Sequence, residues 1–144
     1  TKRYFFVKNP KKIPITHPLK SVDVPLHPEN KKLGKKHVIL SDTFYVSDPI
    51  EKGKIYRFMH MFNFKNGTFL SEEYDHTIGA KIIHAVPAHN AVDVSVLMSD
   101  GTMIKGKGEK ALEDVKEGEI VQFERAFFCR LDDKKKMLFV YAHP

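Results

Sequence analysis

Residues 119–131, EIVQFERAFFCRL, place an arginine where alternation along a strand calls for an apolar side chain. Val121, Phe123, Arg125, Phe127, Cys129 and Leu131 fall on one face of a regular strand. A guanidinium buried there without a partner is costly. The chain must pair Arg125 with an acid, bend the strand, or hold the group for a ligand, and the residues alone leave all three open. Gln122, three positions earlier, points to the opposite face unless a bulge intervenes.

Other groups capable of chemistry are weakly arranged. The eight histidines are scattered, and His84 and His89 have no further ligands at metal spacing, so no metal site is expected. Cys129 is the only cysteine, which excludes a disulfide framework and a cysteine-based zinc site. It reads as a core thiol in a reducing compartment, and a cytoplasmic chain is expected. Asp132-Asp133 and Glu72-Glu73 lie in turn-like settings and read as solvated acids. Gly106-Lys107-Gly108 lacks the spacing of a phosphate-cradling loop, and no serine sits in a nucleophile elbow. No catalytic residue is assigned.

The elements that must carry these groups are short and β-rich. Strands are predicted at residues 4–7, 12–15, 37–40, 44–46, 55–62, 65–70, 78–86, 91–98, 103–107, 120–128 and 137–141. Asn66-Gly67 and Asp100-Gly101 are the clearest hairpin turns. One helix is predicted over Glu109–Glu117, with Ala111, Leu112 and Val115 on one face and Gly118 as its cap. Thr16–Leu33, with three prolines, reads as a long loop. Many short strands at regular spacing predict an all-β barrel or sandwich. No apolar run has the length of a membrane helix, and no membrane partner is expected.

The charge is uneven. Residues 1–37 hold ten Lys/Arg against Asp23 and Glu29, whereas the remaining 107 residues carry fourteen bases and sixteen acids. A basic face meeting a polyanion is one reading, and a solvated lysine-rich loop is the other. The run Arg3-Tyr4-Phe5-Phe6 interleaves aromatics with charge as nucleic-acid surfaces do, although those rings could equally be core.

Four blocks in order carry a resemblance: KRYFFVKNPKKIPI, PLHPENKKLGKK, KIIHAVPAHNAVDVSVLMSDG and GEIVQFERAFFCRLD. Together they resemble the C-terminal anticodon-binding domain of class I glutamyl- and glutaminyl-tRNA synthetases over essentially the whole chain. The direct crossing of Phe44–Gly53 resembles archaeal-type glutamyl enzymes more than glutaminyl ones, which carry a longer insertion there. Ala85 departs from the family, which often has Trp at that position.

The resemblance implies two β-barrel lobes, the first from residues 1–70 plus 130–144 and the second from 71–129. It implies that Arg3, Gln122 and Arg125 contact anticodon bases and that Glu29 approaches the anticodon. Arg can donate two parallel bonds to a splayed base, and Gln can both donate and accept. Lys8, Lys11, Lys12, Lys31, Lys32, Lys35 and Lys36 are expected to position phosphates without reading sequence. The implied partners are tRNA, of glutamate or also of glutamine, and an N-terminal catalytic domain that uses ATP and Mg²⁺. The family's HIGH-like and KMSKS-like signatures do not occur here, so no cofactor is expected in this segment. A glutaminyl-enzyme domain, a generic single-strand-binding barrel and a protein-interaction domain using residues 16–33 are the alternatives.

Overall fold

The structure, a computed structural model, describes all of residues 1–144. Its sixteen strands begin with β1 (Arg3–Tyr4), β2 (Phe6–Lys8), β3 (Lys11–Pro14), β4 (Ser21–Pro25), β5 (Lys35–Ile39) and β6 (Thr43–Val46). The middle of the chain gives β7 (Ile55–Phe58), β8 (Phe62–Lys65), β9 (Thr68–Ser71), β10 (Lys81–Ile83) and β11 (Val86–Pro87). The last five are β12 (Val92–Leu97), β13 (Met103–Gly108), β14 (Ile120–Phe123), β15 (Phe127–Asp133) and β16 (Leu138–His143).

They assemble into four sheets. The largest has seven strands in the order β1-β14-β15-β16-β12-β13-β2. The others are β10-β7-β8-β9, β11-β6-β3 and the hairpin β4-β5. The chain is mostly β, as expected. The expected barrel lobes are not seen as closed ladders, because the strand order of every sheet runs between two terminal strands that do not pair with each other. In the large sheet those strands, β1 and β2, are consecutive in the chain with Phe5 alone between them.

Two apolar cores sit on either side of this N-terminal segment. Phe5 and Val7 join a cluster drawn from residues 5–86, centred on Phe44, Phe58, Phe62 and Phe64. Tyr4 and Phe6 join a second cluster with Val94, Val96, Leu112, Val121, Phe123 and Phe139. Strand alternation thus sends successive aromatics to different cores. Tyr4, Phe5 and Phe6 are buried, so the aromatics of the basic N-terminus are packing residues and not an RNA surface. Ala85 is buried in the first cluster. Cys129 is buried in the second, and burial pushes its thiol up to about 12, consistent with an inert core cysteine.

Four expectations fail. The predicted helix over Glu109–Glu117 is only a 3-10 turn at Lys110–Asp114. Glu109 cannot serve it, because its carboxylate is turned inward to Lys36 and the Phe5 N–H. Gly118, at φ 88°, leads into β14, and its N–H donates to the Leu131 carbonyl. The proline-rich Thr16–Leu33 segment contains β4, whose Val22 and Val24 alternate inward while β5 pairs one edge. The strands predicted over 55–62 and 120–128 each break into a hairpin, at His60 (φ 66°) and Arg125 (φ 57°). Left-handed backbone is uncommon for such side chains and carries no glycine signal in the sequence. No helix is long and apolar enough to cross a membrane.

Candidate nucleic-acid interface

Arg125 does not lie in the apolar row. Phe123 pairs directly with Phe127, and Glu124, Arg125 and Ala126 form the loop between them. Of the three ways out for the guanidinium, the chain bends: Arg125 is exposed at the hairpin tip, and its Nη1 donates to the Ile82 carbonyl (3.3 Å). The bend also removes the predicted conflict of faces with Gln122, since the two no longer share a strand.

Arg3 and Gln122 are brought together. β1 runs parallel to β14 with Arg3 opposite Gln122 and Tyr4 opposite Phe123. The Gln122 N–H donates to the Lys2 carbonyl (2.9 Å) and the Glu124 N–H to the Tyr4 carbonyl (3.1 Å). With Tyr4 and Phe123 committed to the core, Arg3 and Gln122 project from the other face. The Nε of Arg3 is buried with no hydrogen-bond partner. A buried polar atom without a partner is uncommon, and it leaves Arg3 a spare donor for a ligand or a water.

The lysines divide. Lys8, Lys11, Lys12, Lys31, Lys32 and Lys35 are exposed. The Lys12 and Lys107 ammonium groups lie 5.6 and 5.2 Å from the Tyr45 ring, which gathers positive charge beside β3. Lys36 must be removed from the phosphate set. It is only 7 % exposed, and its Nζ lies 2.6 Å from Glu109 Oε2. Its alternation with Val38 and Leu40 was the available signal. Glu29 is exposed in the loop before the Lys31–Leu33 turn, where its N–H donates to His27 Nδ1 (3.1 Å).

Sequence reasoning missed a polar contact between the two hairpin tips. His60 Nε2 donates to Glu124 Oε1 (3.3 Å), joining the β7–β8 turn to the β14–β15 turn. The other oxygen of Glu124 and Nε2 of His84 are buried without partners. Both residues, with Arg125, line a cleft of about 500 Å³. Burial would raise the Glu124 carboxyl, but the hydrogen bond and charge of His60, with Lys36 and His84, hold it below its ordinary 4.5. Burial pushes the His84 imidazole below 6.5, against the pull of Glu124 and with Arg125 adding repulsion.

Both shifts have the same sign for stability. Below pH 6.5 the unfolded His84 takes a proton that the folded one resists. Below 4.5 the unfolded Glu124 does the same. The unfolded state therefore binds more protons in each window, and stability falls with pH. Thermal unfolding followed by circular dichroism should show Tm falling from about pH 6.5 downward, more steeply below 4.5. A His84→Phe variant should lose the upper part of that decline, and an unchanged slope would count against His84 as its source.

Two family profiles match the chain, both described as the anti-codon binding domain of class I (E and Q) tRNA synthetases, over residues 1–88 and 52–132. The chain belongs to this family. Among curated relatives it is 36 % identical over 145 residues to a glutamate–tRNA ligase of Methanococcus maripaludis, covering 92 % of this chain. It is 38 % identical over 156 residues to that of Methanocaldococcus jannaschii, covering 99 %, and 32 % identical over 158 residues to that of Korarchaeum cryptofilum, covering 98 %. The chain spans only 26–28 % of the length of these relatives. As an anticodon-binding domain it needs splayed-base and phosphate contacts rather than a reactive centre. No group of three His, Cys, Asp or Glu is placed to hold a metal ion.

Proposed function

We propose that this domain reads the anticodon for a glutamate–tRNA ligase and holds the tRNA while a catalytic domain, N-terminal in the same parent chain, joins glutamate to it. ATP and Mg²⁺ belong in this reading to that catalytic domain. The observation that carries the reading is the Arg3–Gln122 pair, two base-reading side chain types set side by side by the β1–β14 register, with Arg3 Nε unpartnered. Arg125, on the exposed β14–β15 tip, supplies a third donor, and Glu29 an acceptor at the loop beyond β4. The exposed Lys8, Lys11, Lys12, Lys31, Lys32 and Lys35 supply phosphate contacts.

Barrel-like lobes belong to the same reading. Consecutive β1 and β2 form opposite edges of the seven-stranded sheet with Phe5 alone between them, which supports a sheet curled towards a barrel. The two apolar cores support dividing the lobes between residues 86 and 94 rather than at 70 and 129.

The test is binding of variants to tRNAs that differ only in the anticodon. Arg3→Ala and Gln122→Ala should each lose about 1–3 kcal/mol on the cognate anticodon and far less on a mutated one. Lys31→Ala and Lys35→Ala should weaken all tRNAs alike and reduce the salt slope. Equal losses on every anticodon for Arg3→Ala would make it a phosphate contact and remove the basis for base reading. Comparing glutamate with glutamine tRNA in the same assay separates the two possible cognates.

A further inference from the structure

We propose that the stacked Phe128–His143 pair is a platform for an unpaired base of the same RNA, an inference that rests on the anticodon-binding reading above. The register of the large sheet runs Arg3 to Gln122, Gln122 to Phe128, and Phe128 to His143 across four adjacent strands. Partners in register share a face, so these four side chains form one row.

That row lies opposite the core, which takes Tyr4, Val121, Phe123 and Cys129 from the same strands. Phe128 belongs to neither apolar core, unlike its neighbour Phe127. The next row on this face, Ile120 to Arg130 to Val140, is open to solvent, with Ile120 46 % exposed.

Phe128 and His143 face each other at 4.4 Å between ring centroids, tilted by 21°. Two flat rings held together on an open sheet have lost their rotational freedom before any ligand arrives, so a third ring can stack at low entropic cost. Single-stranded nucleic acid is bound in this way, by bases stacked on aromatics beside polar groups that bond base edges. Strand spacing puts Phe128 about 10 Å from Arg3, too far to serve one base jointly with it. The platform therefore takes a second nucleotide, next to the one read by Arg3 and Gln122. Stacking accepts any base, so the platform adds affinity and register without adding specificity.

The experiment uses tRNA carrying the fluorescent base 2-aminopurine at each anticodon-loop position in turn, titrated with the chain. The wild type should quench one position strongly. Phe128→Leu, which keeps apolar volume without an aromatic face, should abolish that quenching and weaken binding about 10–100-fold, equally for all anticodons. Phe128→Tyr should retain both. His143→Ala, at an exposed site, should also lose the quenching, and it decides the matter if Phe128→Leu fails to fold. Wild-type quenching in folded Phe128→Leu or in His143→Ala overturns the platform while leaving the anticodon reading intact. Failure of the wild type to bind tRNA overturns both.

Discussion

Replacing Lys36 by alanine is expected to destabilise the fold by about 3–5 kcal/mol, whereas the same change at its neighbour Lys35 stays within about 0.5 kcal/mol. Lys35 is exposed and Lys36 is not. The Lys36 ammonium donates to Glu109 Oε2 (2.6 Å) and to the Arg3 carbonyl (3.0 Å), and lies 4.3 and 5.0 Å from the Phe5 and Tyr4 ring centroids. Glu109, itself 3 % exposed, also accepts from the Phe5 N–H (2.6 Å). Removing the lysine leaves a buried carboxylate with one backbone donor, which costs more than the pair itself contributes.

Burial raises the Glu109 carboxyl, opposed by the charge and hydrogen bond of Lys36. Without Lys36 nothing but the Phe5 N–H opposes that rise. The folded variant then holds a proton that the unfolded chain releases above about 4.5, so its stability falls as pH climbs from there. The deficit of Lys36→Ala, measured by urea denaturation, should therefore shrink towards pH 5. A Lys36→Met, Glu109→Gln double variant should recover most of the loss. A single variant as stable as wild type would show that the pair contributes little to the fold.

Gly106→Ala is the second large effect, on the order of 3 kcal/mol. Gly106 pairs with Lys8 where β13 meets β2. A Cβ there would overlap the Val7 carbonyl oxygen and approach Phe6 Cε1 to 2.9 Å and Lys8 Cα to 3.0 Å. Two of these obstacles are backbone atoms of the paired strand, so relief requires the ladder to open. The position needs space and not a left-handed backbone. Gly108→Ala should cost less, because its obstacles, Leu112 Cδ1 and Val94 Cγ2, are side-chain atoms that can shift. The order of urea midpoints should be wild type, Gly108→Ala, Gly106→Ala. Equal midpoints for wild type and Gly106→Ala would refute the close approach. The glycines of Gly106-Lys107-Gly108, which lacks a phosphate-loop context, thus serve strand packing.

Much of this molecule is written in local pattern. Alternating apolar residues and the Asn66-Gly67 and Asp100-Gly101 turns specify a β chain, because side chains alternate faces and these dipeptides favour hairpin backbone. Even the burial of Lys36 was legible in its phase with Val38 and Leu40. Four ordered sequence blocks were enough to place the chain in its family. The hairpin at Arg125 was not legible, because a non-glycine residue at φ 57° is held by its surroundings and leaves no mark of its own. The failed helix at Glu109–Glu117 has the same kind of cause. Its local pattern was sound, but Lys36, distant in sequence, claims the glutamate. Arg3 and Gln122 come from opposite ends of the chain, and only the parallel pairing of β1 with β14 sets them side by side. Local pattern sets which face a residue shows. Which distant residue stands beside it depends on strand order and register, and these are decided only when the whole core packs.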